Sequence, residues 1–318
     1  MNPQEYIQLQ LKELENFNPR EITTENLHEE IFRLLMSKKF RKYSAKPELV
    51  EHIKNAIKIN IKENKPINLV FPHGAYKLWR LEEAPFPDWA ELFTVMYYIK
   101  WLKPICEIYT PGVRLEFYVD DIILPKINNI SLEDVELYIS EYQKILDFLK
   151  QYRLQNFAVE ITRFKDWFPK EEIFEQALQK NIEKLSLTNP IFTDKQLKAV
   201  ELNAQPTLEQ LKDPIWREKI RLIHDAYINL KRERGYYFQP DKIAIFSQQL
   251  SSGMFLAVGT TKTSIAKFWV GAGILERRGE NYIEHIFSPK QLASKKFTLE
   301  AVSIKGLDSK NFKTIRVL

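Results

Sequence analysis

Three short strand-like runs separated by two helix-length stretches limit what this chain can fold into more than any other feature. The runs are Ile67–Phe71 (INLVF), Val113–Val119 (VRLEFYV) and Asn156–Ile161 (NFAVEI). The first is apolar but for Asn68 and closed by Pro72, the pattern of a buried strand. The second alternates, with Leu115, Phe117 and Val119 on one face and Arg114, Glu116 and Tyr118 on the other. Between the runs, one stretch from about Pro87 to Ile108 begins at a proline, and Ser131–Leu149 opens on Ser131-x-x-Asp134; both are helix-start signals. Strand, helix, strand, helix, strand predicts βαβ units and a sheet with parallel members.

The flanks are of other kinds. Residues 1–66 read as an all-helical layer, with apolar stripes through Tyr6, Leu9, Leu11 and Leu14, then Leu27, Ile31, Leu34 and Leu35, then Leu49, Val50, Ile53, Ile57 and Ile61. Residues 67–318 form the α/β part, with a helical insertion at about 170–235 made of Glu171–Leu185, a break at Asn189–Pro190 and a helix around Pro214–Arg234. From Lys242 onward, Ile243–Phe246, Met254–Val258, Lys267–Val270, Ile274–Arg277 and Tyr282–Ile286 are short and separated by glycine, which predicts a meander of hairpins. Leu299–Ile304 and Lys313–Val317 read as closing strands. The expected fold class is α/β: a mixed sheet with a Rossmann-like parallel part, an N-terminal helical layer and C-terminal antiparallel hairpins.

Composition then removes several functions. With 44% hydrophobic and 28% charged residues the chain is not of disordered type. The single cysteine, Cys106, rules out an intrachain disulfide and suits a reducing compartment. The first residues carry acidic groups and no apolar core of a signal peptide, and no apolar run approaches the roughly 18 residues of a membrane span, so a cytoplasmic protein without membrane contact is expected. Only nine glycines are present, five of them between Gly253 and Gly279. Gly253 and Gly259 are followed by Lys262 at the wrong spacing for a phosphate loop and read as turns. Five scattered histidines and one cysteine give no zinc spacing, so neither a metal nor a cofactor is expected.

The formal charge is +5, all of it carried by the segment from Ile286, with seven basic and two acidic residues. Together with the basic and aromatic stretch Trp216–Tyr237, this tail supports an alternative reading as a nucleic-acid-binding or adaptor protein. A solvated helix and an ordinary basic surface account for the same residues.

Candidate site residues gather at the ends of the first strands. Asp120 and Asp121 follow the second strand, where ligands settle in open α/β sheets; a strand-ending Asx turn is the structural counterpart. Asp88 and Glu91, three apart on one helix face, suit an acid–base pair, and equally a capping box at the helix start. His73, Lys77 and Arg80 fall in the loop after the first strand, where the two cations can clamp a phosphate or carboxylate. Asp120, Asp88 and Glu91 are therefore the catalytic candidates, and Lys77, Arg80, Asp121 and His73 the substrate-binding ones.

The order Pro87-Asp88-x-Ala90-Glu91, helix, Ile108-Tyr109-x-Pro111-Gly112, strand, Asp120, then Asp134-Val135-x-x-Tyr138 resembles the isocyanide synthase family, the group named for pyoverdine and dityrosine biosynthesis proteins. Phe71-Pro72 with Lys77 extends the likeness, which covers roughly residues 71–150. The resemblance implies a Rossmann-like fold and an enzyme that converts the α-amino group of an amino acid, usually aromatic, into an isonitrile with ribulose 5-phosphate supplying the carbon. It also implies that Asp120 faces the amino acid and that Lys77 and Arg80 contact the phosphate. The chain departs from the family at Asp121, where glycine is usual, and at Ile243–Gln248, which lacks the family's basic residue and histidine.

Overall fold

The computed structural model describes residues 1–20, 25–77, 81, 86–186, 206–247, 253–261, 268–307 and 312–317. Its centre is a five-stranded parallel sheet of order β3-β2-β1-β4-β5, made of β1 (Ile67–His73), β2 (Val113–Val119), β3 (Phe157–Arg163), β4 (Lys242–Phe246) and β5 (Leu256–Ala257). Helix α4 (Trp89–Cys106) carries the crossover from β1 to β2, and the short α5 (Leu124–Ile127) with α6 (Leu132–Leu149) that from β2 to β3. Two antiparallel pairs, β6 (Ala272–Arg278) with β7 (Asn281–Phe287) and β8 (Phe297–Ala301) with β9 (Lys313–Val317), complete the expected layout.

Helix α4 is buried on nearly every side, since the N-terminal helices α1 (Pro3–Glu15) and α2 (Leu27–Leu35), the sheet, α6 and the β6–β7 hairpin all contact it. One hydrophobic core consequently runs from Ile7 to Phe312, and α3 (Pro47–Lys62) packs on β1 and β4. The chain after α2 also covers the rim of the sheet. Lys42 N donates to Ala257 O at 2.8 Å and Gly259 N to Phe40 O at 2.9 Å, so the outer strand does not present a bare edge. Gly112, at φ +72°, lies where a Cβ would fall 1.7 Å from Asn156 O, so only glycine admits this close start of β2 beside β3.

Three expectations are corrected. Pro72 does not end β1, which continues through His73. Ile67 N donates to Gly112 O on the β2 side, so by alternation the Pro72 nitrogen faces β4, whose pairing with β1 stops at Val70. No ladder bond is lost there. Secondly, Ile243–Phe246 and Leu256–Ala257 are parallel members of the main sheet rather than hairpin strands. Thirdly, residues 268–270 of the expected strand Lys267–Val270 form a turn that buries Phe268 and Trp269; Lys267 and the break at Asn189–Pro190 lie outside the described residues. Among the described residues, the α-helices α7 (Glu171–Ser186), α8 (Leu208–Lys212) and α9 (Pro214–Glu233) stand between β3 and β4. No described helix is long and apolar enough to cross a membrane.

Candidate active site

The strand order reverses at β1, with β2 on one side and β4 on the other, and a cleft opens at the carboxyl ends of these strands. Its inner lobe is a cavity of about 160 Å³ walled by Pro72, His73, Tyr76, Asp120, Phe246 and Trp269 from the sheet side and by Ile220, His224, Tyr227 and Lys231 from α9. A wider outer recess of about 670 Å³ shares Asp120, His224, Lys231 and Phe246 with it and adds Asn229, Arg232, Tyr237 and Phe255. The α9 residues recur at 220, 224, 227 and 231, which is one face of a helix.

Asp120 stands where the two lobes meet. Its backbone N–H donates to His73 O at 3.2 Å, which continues the β1–β2 ladder by one residue and fixes the carboxylate over the strand ends. The Tyr227 hydroxyl donates to Oδ1 at 2.7 Å and the Tyr237 hydroxyl at 3.3 Å. Lys231 Nζ lies 3.1 Å from Oδ2 and 3.3 Å from Oδ1, and also donates to the Tyr237 hydroxyl at 3.1 Å. Lys231 is buried and sits 4.4 Å above the Tyr227 ring. Burial lowers its pKa, and Asp120 opposes that shift. Burial, and then the Asp120 charge, raise Tyr227 and Tyr237 well above the ordinary phenol value, so both are hydrogen-bond donors at neutral pH.

His73 closes the inner lobe from below. It is the last residue of β1 rather than a loop residue, and it is 1% exposed. Its ring stacks on Phe268 at 4.8 Å and meets Trp269 edge-on at 5.2 Å, with Tyr142 also at 5.2 Å. Neither ring nitrogen has a hydrogen-bond partner among the described residues. Burial, and then nearby Lys77, hold the imidazole well below its usual pKa, so it is neutral.

Lys77, Asp88 and Glu91 come together, but away from the cleft. Lys77 Nζ contacts Asp88 Oδ1 at 3.0 Å, both Glu91 oxygens at 3.2 Å and Phe268 O at 2.8 Å. Asp88 caps α4 by accepting from Ala90 N at 2.7 Å, and Glu91 accepts from Asp88 N at 2.8 Å, the capping-box alternative. Tyr138 donates to Glu91 at 2.7 Å, and Gly273 N to Asp88 at 3.1 Å. A Cβ on Gly273 would lie 2.1 Å from Ala90 N, so β6 reaches the helix start only through glycine. Burial pushes Glu91 up to about 8, against the pull of Lys77.

Asp121 occupies a third position. Fully buried, it accepts from Arg163 at 2.7 Å, Ile122 N at 2.8 Å and Lys165 N at 3.1 Å, and Arg163 extends the bridge to Glu136. Of the seven sequence candidates, then, Asp120 and His73 line the cleft. Lys77, Asp88, Glu91 and Asp121 line neither lobe, and Arg80 lies outside the described residues. Lys231, Tyr227, Tyr237 and His224 are not among the sequence candidates for this site, because Trp216–Tyr237 reads in sequence as a solvated helix or, alternatively, a basic stripe for nucleic acid. That stripe is not continuous: Arg221 is buried and paired with Glu218 at 3.0 Å, Lys231 is turned to Asp120, and Arg234 lies on the Phe168 ring.

Together these features describe a parallel α/β protein with a polar, aromatic-walled cleft at the switch point of its sheet. The PvcA protein of Pseudomonas aeruginosa has a similar fold, superposing with a TM-score of 0.66 at 13% identity over 92% of this chain and 100% of that one. A CDPS from Fluoribacter dumoffii aligns over 62% of this chain and 84% of that one at 13% identity, with a TM-score of 0.26 that is too low to indicate a shared fold. No protein-family model matches the sequence, and no curated protein does.

Proposed function

We propose that the protein is an isocyanide-synthase-like enzyme that converts the α-amino group of an amino acid, using a phosphosugar such as ribulose 5-phosphate as the second reactant. The carrying observation is the position of Asp120. It is a carboxylate at the tip of β2 inside the switch-point cleft, 22% exposed, with Lys231 as the sole partner of its Oδ2 among the described residues. A base so placed accepts a proton from the substrate ammonium and frees the amine to add to the sugar carbonyl, with loss of water to the imine. The resemblance over residues 71–150 supports the isonitrile chemistry, and the similarity in fold to PvcA supports the architecture on which it is set.

In this reading the inner lobe holds the amino acid side chain among Tyr76, Trp269 and Phe246. A cavity of about 150 Å³ accepts one benzene-sized group, so the lobe is scaled to a small side chain. The phosphate falls to the outer recess, where Arg232 is a cation on the cleft wall; Lys77 already has four acceptor atoms around it. The alternative, nucleic-acid binding through α9, is weakened by the burial of Arg221 and Lys231. Incubation with each amino acid and ribulose 5-phosphate, followed by mass spectrometry for the isonitrile product, tests the proposal. No mass change with any pairing refutes it.

A further inference from the structure

The charged pair at the centre of the cleft can take a ligand contact on each partner. Asp120 Oδ1 receives both tyrosine hydroxyls, whereas Oδ2 is met only by Lys231. A carboxylate oxygen has two lone pairs, so Oδ2 retains one. Lys231 directs its three N–H donors at Asp120 Oδ2 at 3.1 Å, the Tyr237 hydroxyl at 3.1 Å and Asp120 Oδ1 at 3.3 Å, and because Oδ1 already receives both tyrosine hydroxyls, a ligand carboxylate can take over this last and longest contact. Both residues line both lobes.

We infer that Lys231 is a specificity-determining residue that binds the substrate's carboxylate beside the ammonium held by Asp120, so that the cleft selects α-amino acids over simple amines. The inference rests on the proposed role of Asp120 as the ammonium-binding residue. A simple amine at Oδ2 brings a second cation next to the Lys231 ammonium, about 3 Å from the same carboxylate. An amino acid head group laid against the pair in the opposite sense sets each of its charges against an opposite one. The desolvated wall strengthens both contacts, because charge-assisted hydrogen bonds weaken least where water is excluded. Tyr227 and Tyr237 hold the pair in this orientation from the side away from Oδ2.

Calorimetric titration of the full chain with phenylalanine, tyrosine and tryptophan, each beside its decarboxylated amine and its deaminated acid, tests the inference. The wild type is expected to bind at least one amino acid about tenfold or more tighter than both analogues. Lys231→Met should abolish the preference over the amine, and Lys231→Arg should keep most of it. Because Lys231→Met leaves Asp120 unpaired and can disturb folding, Asp120→Asn provides an independent reading: it should abolish the preference over the deaminated acid. Equal affinity of the wild type for amino acid and amine overturns this inference alone. Failure to bind any amino acid overturns the proposed function and this inference with it.

Discussion

The Tyr227 hydroxyl donates to Asp120 Oδ1 at 2.7 Å across 107 residues of sequence, joining the tip of a central strand to a helix from a different part of the chain. With Lys231 one helical turn further on, this contact fixes the carboxylate rotamer and leaves Oδ2 turned to the cleft. Tyr227→Phe removes one hydrogen bond to a charged acceptor, worth about 1.5–3 kcal/mol. The expected result is a loss of about tenfold or more in kcat/KM for the amino acid in steady-state assays of isonitrile formation.

Asp120→Asn and Asp120→Ala should separate chemistry from stability. Asn keeps an acceptor for the tyrosines and loses the base, so activity should fall by about 100-fold or more, as when a general base is removed. Ala also strands Lys231, which is 6% exposed along its side chain. Breaking a buried pair costs about 3–5 kcal/mol, and the partial exposure of Asp120 places the expected loss nearer ~2 kcal/mol. Urea unfolding of the two variants measures the difference. An alanine variant as stable as the asparagine one contradicts the account.

Lys77→Met should act on the fold and not on the cleft. It leaves Asp88 and Glu91 buried without their cation, an expected loss of about 3–5 kcal/mol in urea unfolding. The folded fraction should keep KM for the amino acid. A selective rise in KM for the phosphosugar would instead restore Lys77 as a phosphate contact.

Glu91 gives a pH signature. Its folded pKa of about 8 lies above the ordinary carboxyl value of 4.5, because burial favours the neutral acid. The folded state therefore holds more protons than the unfolded state between these values, and this carboxyl makes stability decline as pH rises from about 4.5 to about 8, then level off. Glu91→Gln should flatten that part of the stability–pH curve, as measured by thermal melts in a buffer series. An unchanged slope locates the titration elsewhere.

Much of the architecture was readable because its signals are local. The VRLEFYV alternation gives β2 from Val113 to Val119, and Ser131 caps α6 as its Ser-x-x-Asp pattern predicts. What the local pattern left open was partnership. Ile243–Phe246 is a continuous apolar run, which fits a buried parallel strand, but its partner β1 lies some 170 residues earlier in the chain, and the glycines after it suggested hairpins. The site divides in the same way. A strand-terminal aspartate is visible in one dimension. That Lys231 rather than Lys77 faces it is not, since both are buried lysines near aromatic residues and only the tertiary packing decides which one reaches the cleft. Counting the α9 residues around the helix instead of along it aligns Ile220, His224, Tyr227 and Lys231, which was the one signal present.

Part of the cleft wall comes from α9, within the long connection that carries the chain from β3 across to β4. The sheet can therefore stay fixed while α9 varies, and four side chains spaced along its inner face are enough to redefine what the protein accepts. Exchanging that one helix would change what the cleft accepts while the carboxylate at the tip of β2 stays in place.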